Sequence, residues 1–182
     1  MTEGWPPIPT AIETARLVLR PVLREEAEAL LAGIQPTGLS FGEGFPSEGT
    51  LESMDLFVGP RRAELPGFTP FHMLRRADGV AIGSIGFTPV AETRSVTAGY
   101  GISPAFEGQG YTTEALRGLV AWLFQAGATL VRADTYVDHV ASRRVMEKAG
   151  MELIEEVDGV EGERPVRYVV YSIAKSPGEP EG

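Results

Sequence analysis

The chain has 182 residues, of which 43% are apolar and 23% charged, with a formal net charge of -9 and no cysteine. That length and apolar content suit one domain spanning 1–182 with a single sizeable core, and would leave two independent domains marginal. The absence of cysteine excludes disulfides, thiolate metal sites and a cysteine nucleophile, and 25 acidic against 16 basic residues argues against a nucleic-acid partner, which needs surplus Lys and Arg to neutralise phosphates.

Residues 1–11 are rich in proline and open with Glu3, without the basic start and apolar run of a secretory signal, so a cytoplasmic protein is expected. "ARLVLRPV" reads as a first strand ended by Pro21, and "LREEAEALLAGI" places Ala27, Leu30, Leu31 and Ile34 at helical spacing. Residues 35–50 read as a loop rich in Gly, Pro, Ser and Thr, followed by a helix around 50–64. From Phe71 the period changes to that of strands: "FHMLRR", the turn "ADG", "VAIGSIGFTPV", a polar connection at 91–95 and "VTAGYGI" form an antiparallel meander.

A helix over 109–126 follows, with Leu116, Leu119, Val120, Leu123 and Phe124 on a wide apolar face and Gly127 where a C-terminal cap belongs. Trp122 and Phe124 read as core. The longest mostly apolar segment, "LRGLVAWLFQAGATLV", carries Arg117 and Gln125 and breaks at Gly127, so no membrane partner is expected. "TLVRADTYV" is the next strand, and "DHVASRRVMEKAG" a helix with Asp138 as N-cap, Lys148 near the negative end of its dipole and Gly150 as terminator. "MELIEEV" and "VRYVVYSIA" finish an ordered core of about 10–174, ahead of a polar tail at 175–182. The order predicts an α+β fold, a mixed, mostly antiparallel central sheet flanked by helices, with a strand–helix–strand unit in its second half.

The junction "SPAFEGQGYTTEAL" places Gly108 and Gly110 where strand period gives way to helix period. A nucleotide P-loop is excluded because no lysine follows the glycines. A dinucleotide fingerprint fits poorly: Thr113 replaces the third glycine and the upstream strands form a meander. What remains is either an ordinary glycine-rich turn or a short turn whose amides, from Gln109 to Thr113, face a diphosphate at a helix N-terminus. In "VTAGYGI", Val96, Ala98, Tyr100 and Ile102 share one face while Gly99 and Gly101 leave the other bare, which suits close approach of a linear ligand.

These residues resemble the GNAT superfamily of acetyl-CoA-dependent acyltransferases, and within it the RimJ/RimL-like branch. "IETARLVLRPV" is similar to that branch's opening, "IGSIGF" to its central strand, "AGYGISPAFEGQGYTTEAL" to its cofactor segment and "DHVASRRVMEKAGM" to its late signature, over roughly residues 10–174. The resemblance implies acetyl-CoA as cosubstrate, no metal, and an amine-bearing acceptor such as a protein N-terminus or a small molecule. It also implies that Gln109, Gly110, Tyr111, Thr112 and Thr113, with Gly108, hold the pyrophosphate, that the backbone around Ile102 holds the pantetheine and thioester, and that Ser142 lies near the CoA sulfur. His139 stands where the signature has an asparagine that contacts the pantetheine, and Glu107 and Thr112 depart from the cofactor motif. Exposed strand edges permit a homodimer, as in many relatives.

The implied chemistry needs a base, because an α-amine titrates near 8 and a lysine amine near 10, and it needs a proton for the departing thiolate. Ser142 is the first choice as proton donor and Tyr136 the second. The base is one of Glu43 and Glu48, from a loop expected to border the acceptor pocket, Asp134 and His139, each equally readable as a solvated, paired or exposed side chain; Glu43 is the one carried forward as the candidate. The leading expectation is direct acetyl transfer to a primary amine without a covalent enzyme intermediate. The alternative is a catalytically weak acyl-CoA-binding sensor or interaction module. A serine hydrolase is a poor third reading, because "IGSIG" has isoleucine at the first position of Gly-x-Ser-x-Gly.

Overall fold

The computed structural model describes residues 7–90 and 93–176; the expected connection at 91–95 lies partly outside them, as do the outermost residues of both ends. The elements are β1 Ile12–Glu13, β2 Leu17–Pro21, α1 Arg24–Leu31, α2 Glu48–Val58, β3 Thr69–Arg75, β4 Ala81–Pro89, β5 Ser95–Ile102, α3 Tyr111–Gln125, β6 Leu130–Tyr136, α4 Val140–Lys148, β7 Glu152–Glu161 and β8 Arg164–Ala174. Short 3-10 turns occupy Pro60–Ala63 and Pro104–Phe106. The strands form one sheet in the order β1-β2-β3-β4-β5-β6-β8-β7, antiparallel throughout except between β5 and β6. This is the expected mixed sheet with flanking helices.

Alternation along the strands builds a core on each side of the sheet. Leu17 and Leu19 of β2, Phe71 and Met73 of β3, Ile85 and Phe87 of β4 and Val96 and Ala98 of β5 meet Leu116, Leu119 and Leu123 of α3 and Met146 of α4. The opposite face receives Ala27 and Leu30 of α1 and Met54 of α2, together with Leu39 and Phe45. Those last two tie down the 35–47 segment, which also bonds along the start of β4 through the Gly42 amide to the Ala81 carbonyl (2.9 Å) and the Ala81 amide to the Ser40 carbonyl (2.8 Å).

Three expectations change in detail. The helix expected over 50–64 is α2 plus the separate turn at 60–63, and it starts at Glu48 because the Ser47 hydroxyl accepts from the Thr50 amide at 3.3 Å. Asp138 is not the N-cap of α4. The His139 amide first closes a turn onto the Tyr136 carbonyl at 3.0 Å, so the helix begins one residue later with His139 at the cap. Trp122 packs against the core, tilted on Phe87 at 5.7 Å, but it also faces a cavity described below.

The β4–β5 pair is tight where Gly83 faces Ile102. A Cβ on Gly83 would run into the Gly101 carbonyl and come within 2.9 Å of the Ile102 Cα, and backbone cannot swing aside as a side chain can. Gly83→Ala is therefore expected to cost about 1–3 kcal/mol, the range of core overpacking, read as a lower midpoint in urea unfolding with unchanged m-value.

Candidate active site

Parallel β5 and β6 pair only from Ser95–Leu130 to Thr97–Arg132, although β5 continues to Ile102 and β6 to Tyr136. Each strand keeps its antiparallel neighbour to the end, β4 for β5 and β8 for β6, so the sheet splits between them. The inward edges of residues 98–102 and 133–136 have no ladder partner across the split, which leaves backbone donors and acceptors for a guest.

The start of α3 lies just beyond the end of β5. Gly110 is the N-cap, at φ 80°, in the left-handed region open to glycine, and no side chain caps the helix. The first-turn amides therefore point outward without intrahelical partners, at the positive end of a 15-residue helix. Gly108, at φ 69°, makes the preceding turn, and a Cβ there would meet nothing within 4 Å. Arg16 fixes this loop from the side: its amide and Nε donate to Glu114, each at 2.6 Å, one guanidinium nitrogen donates to the Gln109 carbonyl at 3.0 Å, and the group lies 4.4 Å from the Tyr111 ring centroid. The Thr14 hydroxyl adds a third donor to Glu114 at 2.7 Å. An uncapped helix start framed by glycines fits a diphosphate, with Gln109, Gly110, Tyr111, Thr112 and Thr113 as its cradle.

On the other side of the split, α4 brings Ser142, only 9% exposed, against β5. The Tyr100 hydroxyl lies 3.1 Å from the Ser142 Oγ and donates to the Ser142 carbonyl at 3.1 Å. Burial pushes the Tyr100 hydroxyl up to about 12; the Ser142 contact opposes this and the charge of Asp134 adds to it. Tyr100 is thus a protonated donor at neutral pH. Tyr136, the second choice as proton donor, stacks on Tyr168 of β8 at 5.0 Å.

Asp134 opens into a cavity of about 1460 Å3 beside the split, whose wall also includes Tyr100 and, from α3, Trp122. The rest is formed by α2 from Gly49 onward, by the 64–69 segment and by β4 and β5, with the bare Gly99 in its lining. The second bare position, Gly101, is where α2 comes closest, since a Cβ there would lie 3.4 Å from the Gly49 backbone. The Asp134 side chain is exposed towards the cavity, yet the surrounding atoms desolvate its carboxylate in part, and that desolvation raises its pKa above the ordinary value.

The candidate base in the 35–50 loop lies elsewhere. Glu43 is exposed and neither it nor Glu48 is in the cavity lining, because the loop is spent packing on β4 and on Pro104. His139 is exposed, with its Nδ1 3.1 Å from the Thr135 hydroxyl. Ile102 ends β5 opposite Gly83, outside the cavity lining. The fold therefore gathers Ser142 and Asp134 around one residue the sequence did not single out, Tyr100. The available signal was its place as the one hydroxyl on the β5 face that meets α3 and α4.

Comparison with known proteins agrees with this geometry. The family model described as "Acetyltransferase (GNAT) domain" matches residues 16–152. The uncharacterized N-acetyltransferase YoaA of Bacillus subtilis (strain 168) is 29% identical over 146 residues, 78% of this chain and 82% of that protein. Among solved structures, a GNAT-family acetyltransferase from Bacillus anthracis superposes with a TM-score of 0.69 at 20% identity, covering 90% of this chain and 98% of its own. Mycobacterium smegmatis RimJ, solved in complex with CoA-disulfide, superposes with a TM-score of 0.68 at 21% identity, covering 96% of this chain and 90% of its own. A split sheet beside an uncapped helix start, in a chain matched over most of its length by the family model, belongs to an acetyltransferase of the GNAT family.

Proposed function

We propose that this chain transfers an acetyl group from acetyl-CoA directly to a primary amine, with Asp134 as base and the Tyr100–Ser142 hydroxyl pair as proton donor. The observation that carries the reading is the meeting of these three groups at one split in the sheet, where the cavity opens. Bound acetyl-CoA supplies the acetyl group as a thioester; the start of α3 and the free edge of β5 are the residues suited to hold it.

The remaining work falls to the protein. An amine entering the cavity is mostly protonated at neutral pH and must lose a proton before attack. Asp134, ionised at pH 7 yet only partly solvated, attracts the ammonium and accepts its proton, directly or through water. Amides along the free edge of β5 meet negative charge developing on the carbonyl oxygen. Tyr100 passes a proton to the departing sulfur, and Ser142 keeps its hydroxyl aimed and can share the donation.

The test is calorimetry with acetyl-CoA followed by thiol release on an amine panel. Micromolar binding and turnover are expected; no binding refutes the reading, and binding with complete inactivity across the panel favours the sensor. Tyr100→Phe is expected to lower kcat by roughly tenfold to a hundredfold, at the lower edge of a general-acid contribution, with acetyl-CoA affinity within about twofold. Ser142→Ala should lower kcat less, since the tyrosine proton remains. Unchanged kcat in both variants removes the pair from the mechanism.

A further inference from the structure

The acceptor cavity has a charge pattern that the reaction by itself does not require. Its apolar wall is built from side chains far apart in the chain: Leu56 of α2, Leu65 and Phe68 of the following segment, Phe87 of β4 and Trp122 of α3. Its only charged lining groups among the described residues are Glu52, Glu64 and Asp134, and no Lys, Arg or His lines it.

The three carboxylates are not equivalent. Glu64 is held by Arg61 through contacts of 2.9 and 3.0 Å, and the same guanidinium lies 3.8 Å from Glu52. Arg61 itself is outside the lining, so it shares its one positive charge between the two rim carboxylates without putting a cation inside. Among the described residues no guanidinium lies in the cavity lining beside Asp134. Asp134 is thus the one lining carboxylate outside ion-pair range of a guanidinium among the described residues, next to the reacting groups, and the surface around it is otherwise apolar and aromatic. An ammonium held near Asp134 must be followed by a body that tolerates loss of water and needs no counter-ion. A second ammonium would have to compete with Arg61 for the rim carboxylates. A carboxylate or phosphate on the substrate would meet only like charge.

We infer, resting on the acetyl-transfer reading above, that the acceptor is a monocationic amine, a single primary ammonium carried on an uncharged aromatic or branched aliphatic body. Such chemistry has two sources, a free arylalkylamine or the apolar N-terminal residue of a peptide.

The experiment measures thiol release by the full-length chain with acetyl-CoA and four acceptors: 2-phenylethylamine, a Phe-Gly-Gly amide, spermidine and an Asp-Gly-Gly amide. One of the two aromatic acceptors is expected to exceed both spermidine and the aspartyl peptide in kcat/KM by at least about tenfold, and the ratio between the two aromatic ones tells the free amine from the peptide. Arg61→Ala, at an exposed position, unmasks Glu52 and Glu64. It is expected to lower KM for spermidine by about threefold or more, the scale of an exposed charge contact, with KM for acetyl-CoA unchanged. A preference for spermidine or the aspartyl peptide overturns the inference, and so does an unchanged spermidine KM in Arg61→Ala. If no amine releases thiol, the transfer reading itself fails and the inference goes with it; turnover with the opposite preference removes the inference alone.

Discussion

Asp134→Asn is expected to lower kcat/KM for the amine by about two orders of magnitude, the lower end of what a positioned acid or base contributes, while acetyl-CoA affinity stays within about twofold. The substitution keeps the shape of the side chain and removes only its capacity to take a proton. Its neighbours make the effect specific: Asp134 and Tyr100 share the cavity wall, and the carboxylate is close enough to push the tyrosine up. In the wild type the rate should rise with pH as Asp134 ionises, along a limb displaced above the ordinary aspartate value of 3.8 because desolvation favours the neutral acid. The variant should lose that limb and keep only the later one set by the amine. Stability should move the other way. A carboxyl whose pKa is raised by folding binds its proton more tightly in the native state, so its stabilising contribution is present below the unfolded pKa and lost as pH rises through the folded one. At pH 7 the ionised group is a cost that asparagine removes, so Tm should rise as activity falls. Full activity in Asp134→Asn, or an unchanged acidic limb, would exclude it as the base.

The elements most legible in the sequence were those whose signal is local. The apolar stripe of α3, the glycines that end α3 and α4, and the alternation of β3 to β5 depend on neighbours a few residues away, and each element formed within a few residues of its expected place. The bare face of "VTAGYGI" was legible too, and it became both cavity lining, at Gly99, and the closest approach of α2, at Gly101. The site was harder to read because it is assembled across the chain. Choosing between Tyr100 and Tyr136 requires knowing that β6 hands Tyr136 to β8, a pairing set by a strand some thirty residues later. Proposing Asp134 rather than Glu43 rests on knowing that Leu39 and Phe45 are buried and draw their loop onto β4. Composition marked that loop as irregular but could not reveal two apolar anchors without the surface they dock on. β1 escaped notice because two residues, Ile12 and Glu13, are too short for any period.

Glu26→Gln should cost about 3 kcal/mol at pH 7, the largest stability effect expected for a single side chain outside the active site. Glu26, 6% exposed, joins three elements. It accepts from the Leu23 amide at 3.0 Å, which holds the first turn of α1, and from Arg20 of β2 at 2.7 and 3.2 Å. It also lies 3.4 Å from the Nε2 of fully buried His72 in β3. That approach is not an aligned hydrogen bond, since both ring nitrogens of His72 lack one. Burial alone would raise the Glu26 pKa, but the contacts with His72, Arg20 and Leu23 outweigh it and hold the group at about 2 against an ordinary 4.5. Removing one partner of a buried charged contact costs about 3 kcal/mol, which for a chain of this size means a Tm lower by about 6–12 °C. Because the folded pKa is depressed, this stability is fully present above the unfolded value of 4.5 and is lost as pH falls towards 2. Urea unfolding should therefore separate wild type from variant fully at pH 7 and only partly at pH 3; an equal gap at both would mean that glutamine costs packing rather than charge. The consequence reaches the site through shared walls. α1 packs with α2 in the second core, and His72 pairs across the sheet with Ser84, which lines the cavity and contacts Thr50 of α2 at 3.5 Å. Loosening α1 should thus raise KM for the amine before it changes KM for acetyl-CoA, whose proposed cradle is fixed separately by Arg16 and Glu114.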